Sequence, residues 1–287
     1  MMKDQSVIQL VQSSGLNRIE SLLISLTLES IRLWTDVERE EIIPIGSSKL
    51  GGKPDLPINH EWPQNQGGFL QFIAQINLGQ IASLETTMLP SEGLLSFFYD
   101  ALEQPWGFDP KDKGSWKVLY FQDMNEFERK VEPFEIQEEG SFGTARISFE
   151  TQTSVPSSES MSVERLELSQ DDCDRYWELY DKIQEHNRSN GITHKLLGHP
   201  DNIQGDMQLE CQLVSNGLYC GDSSGYGDPR RTWLEHGAAS WRLLLQVDSE
   251  DEIGMMWGDA GRLYFWIREE DLRERNFDNV WVILQCG

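Results

Sequence analysis

No stretch of this 287-residue chain is apolar for long enough to cross a bilayer as a helix. Its longest apolar runs, such as 241–246, fall far short of the ~20 residues a spanning helix needs, so no membrane role is expected. The opening MMKDQSVIQLVQSSG has an acid beside its only early base and no sustained apolar core, and it does not read as a secretory signal. CxxC pairs are missing too. Cys173, Cys211, Cys220 and Cys286 are scattered, which points to reduced thiols and a cytoplasmic setting. Cys211 and Cys220 could be combined on paper with His194 and His199, but their eight-residue gap fits no usual zinc spacing. Neither a metal nor a cofactor is expected. Positive charge is also scarce, with 24 bases against 48 acids and a net charge of −24. Phosphate backbones would be repelled, and the only basic runs are short, at Arg230-Arg231 and Arg273–Arg275. Nucleic acid is therefore not the expected partner. The acid excess favours solubility and would suit a basic protein.

Hydrophobic residues at 38% and charged residues at 25% describe a folded chain long enough for a sizeable core. Leu16, Ile19, Leu22, Leu23 and Leu26 recur at helical spacing and predict a helix over 17–25, followed by a strand over 28–34. The loop KLGGKPDLP (49–57) carries turn residues. Strands are predicted over 69–76, 93–99 and 116–121. Residues 122–168 are rich in Glu, Ser and Thr, with a short strand expected over 146–150 and an exposed loop over 155–162. A helix is predicted over 170–186, capped by Ser169, with Tyr176, Tyr180 and Ile183 along one side.

The chain echoes itself. LGHPDN (197–202) matches GGKPDL (51–56), and LLLQVD (243–248) matches FIAQIN (72–77). GRLYFW (261–266) matches GLLSFF (93–98), and WVILQC (281–286) matches WKVLYF (116–121). Four matches in one order imply a duplicated unit. The spacings agree except between Gly198 and Gln246, where the second copy carries an insertion. The expected organisation is a single domain: an N-terminal helical segment (1–26), a first β-rich repeat (27–121), a linker and helix insertion (122–195), and a second β-rich repeat (196–287) with an inserted loop (203–240).

The same residues carry a family resemblance. SKLGGKPDLP, EWP, FLQFIAQINL and LPSEGLLSFFYD resemble the first half of the YwqG-like family of bacterial proteins. WRLLLQVDSEDEIGMMWGDAGRLYFWIREEDL and the final LQC resemble its second half. The likeness covers roughly 31–121 and 196 to the C-terminus. It implies a bacterial cytosolic protein of that fold, with an association with toxin systems, and it brings no established catalytic residues.

Several side chains invite chemistry. GDSSG (221–225) satisfies G-x-S-x-G around Ser223, with Asp228 and His236 following. A hydrolase serine sits between a buried strand and a helix, whereas SNGLYC is a poor strand and GYGDPRR does not begin a helix. Asp248, Glu250, Asp251 and Glu252, close to Asp259, form an acidic cluster without EF-hand order, which reads as a solvated hairpin end. Gln75 and Gln246 each interrupt an apolar run at matching positions. A buried amide needs partners, so each would tie down loop backbone near the interface of the copies, or line a shared ligand cleft. Trp62 and Trp257 lie in loops, where aromatic rings meet ligands. The stretch 257–261 reads as a hairpin turn, with Asp259 accepting backbone hydrogen bonds and Gly261 at positive φ.

The expected fold is α+β, internally duplicated, with mostly antiparallel β units forming one continuous core and helices at its periphery. The expected function is non-enzymatic binding of a basic protein partner. The alternative is a small-ligand binder or enzyme using a cleft between the repeats, with Trp62, Gln75, Gln246, Trp257 and Asp259 as candidate wall residues and no catalytic residue assigned.

Overall fold

The computed structural model describes residues 4–84, 88–139, 141–187 and 191–287. Its strands are β1 (Leu28–Val37), β2 (Lys49–Gly51), β3 (Asp55–Pro57), β4 (Gln71–Asn77), β5 (Leu94–Tyr99) and β6 (Trp116–Phe121), then β7 (Phe127–Arg129), β8 (Thr144–Ser154), β9 (Lys195–Leu196), β10 (Trp241–Asp248), β11 (Arg262–Arg268) and β12 (Trp281–Gln285). Among the described residues, ten of them form one antiparallel sheet in the order β12-β11-β10-β9-β1-β8-β2-β4-β5-β6, and β3 pairs with β7 separately. The fold is α+β, as the sequence implies.

The order is palindromic about the β1–β8 pair. On one side lie β2, β4, β5 and β6, and on the other β9, β10, β11 and β12. The register matches as well. Lys49 sits opposite Gln75 and Lys195 opposite Gln246. A bulge falls between Phe72 and Ala74 in one half and between Leu243 and Leu245 in the other. Both loops after the short strands turn through positive φ, at Gly51-Gly52 (63° and 69°) and at Leu197-Gly198 (59° and 71°).

Strands β5 and β11 read as near-continuous apolar runs, and β4 does so apart from its glutamines, because both faces of each are covered. One cluster of buried residues runs through both halves, and the Phe97 and Phe265 rings meet inside it at 5.2 Å. The sheet curls until its two edges nearly close. The Trp116 and Trp281 rings stand 5.0 Å apart, and their indole N–H groups donate to Val280 O and Gly107 O at 2.9 and 2.8 Å. Gly107 has φ 85°, and a Cβ there would lie 1.9 Å from Val282 O, so the approach requires glycine.

The region 122–195 departs from expectation. Strand β8 is twice as long as the short strand expected over 146–150, and it lies at the centre of the sheet. Its Ser- and Thr-rich sequence fits because one face of the strand meets solvent. Residues 155–162 are not an exposed loop. Val155, Pro156, Ser157 and Ser160 are buried, and Ser160 caps a short helix, Met161–Glu164. The Gln170–Asn187 helix is as expected, with Ser169 Oγ accepting from Asp172 N. It packs Tyr176, Leu179 and Ile183 on Val7 and Val11 of an unanticipated helix, Gln5–Ser13, which Asp4 caps. A second N-terminal helix spans Glu20–Leu26. The insertion at 203–240 is helical, with turns at Met207–Val214, Ser223–Gly227 and Arg231–Leu234.

Candidate functional site

The two glutamines occupy twin environments. Gln75 Oε1 accepts from Asp55 N at 2.9 Å, and its Nε2 donates to Asp55 Oδ2 and Ser47 O, both at 2.7 Å. Gln246 Oε1 accepts from Asp201 N at 2.9 Å, and its Nε2 donates to Asp201 Oδ2 at 2.9 Å and Thr193 O at 2.5 Å. Each aspartate also holds cations. Asp55 meets Arg129 at 2.9 Å and lies 3.8 Å from Lys49, which bonds Glu40 at 2.9 Å. Asp201 meets Lys195 at 2.7 Å, and Arg262 spans to Asp248 at 3.0 Å.

Burial pushes the Asp201 carboxyl up, but the charges of Lys195 and Arg262 outweigh it and hold it well below the usual range. At Asp55 burial is likewise outweighed, by Arg129 and Lys49. Burial lowers the Lys195 ammonium, which Asp201 only partly offsets. Both glutamines are fully buried with donors and acceptor engaged. They tie down loop backbone, each within its own half, and neither opens on a cleft.

The acidic cluster is split, contrary to the solvated hairpin end expected. Asp251, Glu252 and Asp259 are exposed, whereas Asp248 and Glu250 are buried. Asp248 is drawn in by Arg262 and by Thr193 N at 2.8 Å. Glu250 accepts from Thr35 Oγ1 at 2.8 Å and pairs with His194 Nε2 at 2.9 Å. His194 Nδ1 accepts from Asp248 N at 3.0 Å, which places the ring proton on Nε2. Trp257 is also interior: its ring packs 5.9 Å from Tyr99 and 5.7 Å from Phe142, and its Nε1 donates to Asp248 O. In the following turn the positive φ falls on Gly258 and Ala260 rather than Gly261, and the main-chain carbonyl of Asp259 accepts from Gly287 N.

Ser223 opens a one-turn helix, Ser223–Gly227, capped by Asp222, so a helix begins within GDSSG itself and ends two residues beyond it. No strand precedes it, and Asp228 is engaged by Arg230 at 3.0 Å. Cys211 and Cys220 are buried thiols pushed up by burial, Cys220 to about 12. Among the described residues, no three His, Cys, Asp or Glu side chains converge as a metal-holding group.

Two of the open spaces among the described residues bear on a ligand. A groove of about 660 Å³ runs along the seam between β6 and the Phe277–Asn279 turn, with Trp62, His60, Lys113 and Asn279 in its walls. Residues of both halves line it, and of the candidate wall residues Trp62 is among them. Two of its polar groups are engaged: Trp62 Nε1 donates to Leu70 O at 2.8 Å, and Lys117 pairs with Asp278.

The second space, about 290 Å³, is more enclosed. It lies between the end of the Glu20–Leu26 helix, residues 157–162, the 198–208 loop, β10 and β11. Trp241, Leu243, Trp266 and Met207 supply apolar wall, and Asn202 and Gln208 supply polar wall. Charged wall groups are committed elsewhere. Asp206 caps the Met207–Val214 helix and accepts from Met161 N, and Arg242 bonds Glu269 at 2.6 Å. His199 donates from Nε2 to Leu26 O at 2.8 Å, and burial holds its ring down to about 4, so it is neutral at physiological pH. Two wall residues carry buried polar atoms with no hydrogen-bond partner among the described residues, Trp266 Nε1 and Asn202 Oδ1. None of these wall residues was singled out as a ligand contact from sequence. The spacing that relates Asp201 to Asp55 would have reached Asn202 and Gln208 had it been followed further.

Residues 48–286 match the model of the family described as Domain of unknown function (DUF1963), and the chain belongs to that family. The match begins after β1 and the N-terminal helices. No curated protein matches the chain.

Proposed function

We propose that this DUF1963 chain is a non-enzymatic binding module whose ligand is a small, uncharged molecule held in the enclosed space against β10 and β11. The observation that carries the reading is a pocket of mixed apolar and polar wall, two of whose residues, Trp266 and Asn202, each hold a buried polar atom without a hydrogen-bond partner among the described residues. Ligand sites are concave and mostly apolar, with few polar groups to orient the guest, and a buried donor without a partner costs about 1–3 kcal/mol, which a ligand can relieve. The narrower YwqG-like assignment, a bacterial cytoplasmic setting and descent of the halves from one duplicated unit belong to the same proposal. The palindromic strand order and twin glutamine bonds support the last.

A thermal-shift screen of uncharged metabolites tests the binding reading. A ligand at a hundred times its Kd should stabilise the protein by about 2.7 kcal/mol. A screen in which nothing raises the melting temperature counts against it.

A basic protein partner is the second reading, and one observation favours it. Lys49, Arg129, Lys195 and Arg262 are paired with Glu40, Asp55, Asp201 and Asp248, so most of the net charge of −24 lies outside these pairs and towards the surface. Such a complex should weaken as salt rises. Capture that ignores ionic strength would remove this reading.

A further inference from the structure

The enclosed space has a counterpart in the first half, and there it is full. Phe72 faces Phe98 across β4 and β5 as Leu243 faces Trp266 across β10 and β11. Leu70 precedes the first strand pair as Trp241 opens the second. Leu56 follows Asp55 as Asn202 follows Asp201, and Trp62 stands as far beyond Asp55 as Gln208 stands beyond Asp201. Leu56, Trp62, Leu70, Phe72 and Phe98 form one buried cluster. Their counterparts Asn202, Gln208, Trp241, Leu243 and Trp266 all line the cavity.

A hydrogen bond confirms the match between the two polar tips. Trp62 Nε1 donates to Leu70 O at 2.8 Å, and Gln208 Nε2 donates to Trp241 O at 2.7 Å. The indole of Trp62 also packs edge-on against Phe98, with ring centroids 6.1 Å apart. Gln208 keeps the anchoring bond and lacks the ring. Interiors tolerate few voids larger than a water, yet this one has the volume of about ten waters at ~30 Å³ each.

We propose that the cavity takes an uncharged bicyclic heteroaromatic ring of indole size, which occupies the place that Trp62 fills in the other half. This rests on the small-ligand reading and narrows it. Shape follows from the missing ring. Neutrality follows from the engagement of both charged groups: backbone N–H groups bond the Asp206 carboxylate, and Arg242 pairs with Glu269. Asn202 Oδ1 and Trp266 Nε1 are buried and have no partner among the described residues, and the side chains would turn to accept from a ring N–H and to donate to a ring nitrogen.

The test is titration calorimetry of the full chain with indole as probe, benzofuran as the isostere without an N–H, and indole-3-acetate as the charged analogue. Indole should bind one to one, and the acetate at least tenfold more weakly. Gln208→Trp supplies the missing ring from the chain itself, and should abolish indole binding while raising the melting temperature. Asn202→Leu, a milder change, should weaken indole more than benzofuran. Indole binding that survives Gln208→Trp, or acetate binding as tight as indole, overturns the proposal. If indole fails but another uncharged metabolite binds the wild type and is excluded by Gln208→Trp, the ring class is wrong and the site reading stands. If no probe separates wild type from Gln208→Trp, both fall.

Discussion

Lys195 Nζ lies 2.7 Å from Asp201 Oδ2, and both side chains are almost wholly withdrawn from solvent. Removing one member of such a pair leaves the other as an uncompensated buried charge, which costs about 3–5 kcal/mol. Lys195→Ala should therefore lower unfolding free energy by that amount in urea titration. A loss below 1 kcal/mol would show that water reaches Asp201.

The twin glutamines make a paired prediction. Gln246→Leu removes the acceptor of Asp201 N and the donor to Thr193 O, and Gln75→Leu does the same to Asp55 N and Ser47 O. Each orphaned group costs about 1–3 kcal/mol. The two variants should lose similar stability in parallel denaturant melts, and a large inequality would mean that the halves are not equivalent in energy.

Two partly buried groups set opposing responses to pH. Burial holds the His199 ring down to about 4 against its ordinary 6.5, so its contribution is full above 6.5 and is lost as pH falls towards 4. Glu210 runs the other way. Burial, reinforced by Asp206, pushes its carboxyl from 4.5 up to about 7, so its contribution is full at low pH and fades as pH rises through 7. Wild-type stability should be nearly flat between these values. Glu210→Gln should uncover the histidine slope, at most about 3 kcal/mol at 1.36 kcal/mol per pKa unit. His199→Gln should uncover a decline with rising pH instead. Denaturant midpoints measured across pH decide this, and two variants with parallel profiles would refute it.

Gly107→Ala should open the seam. The new Cβ meets Val282 O at 1.9 Å while the backbone stays at φ 85°. The expected cost exceeds ~2 kcal/mol and should appear as a lowered melting temperature. Gly114→Ala, also at positive φ but with nothing within 4 Å, isolates the backbone part and should cost less.

How far the sequence could be read follows from where each signal lies. The strands flanking Gln75 and Gln246 were visible because buried amides interrupt apolar runs. Strand β8 was misjudged because a strand wetted on one face looks like a polar linker. The acidic cluster misled for a different reason: Asp248 and Glu250 are buried by Arg262 and His194, partners that only the fold brings near. The cavity was the hardest to foresee. It is defined by a ring that the second half lacks, and an absence becomes readable only once a filled counterpart is placed beside it.

The near-closure of the sheet has a last consequence. In an open sheet, β6 and β12 would present unpaired backbone to any passing extended peptide. Here Trp106 O takes the N–H of Leu284, and two crossed indoles brace the gap. A chain this rich in apolar strands is thereby shielded from growing by strand addition, and loosening those few contacts should turn a monodisperse solution into a self-associating one.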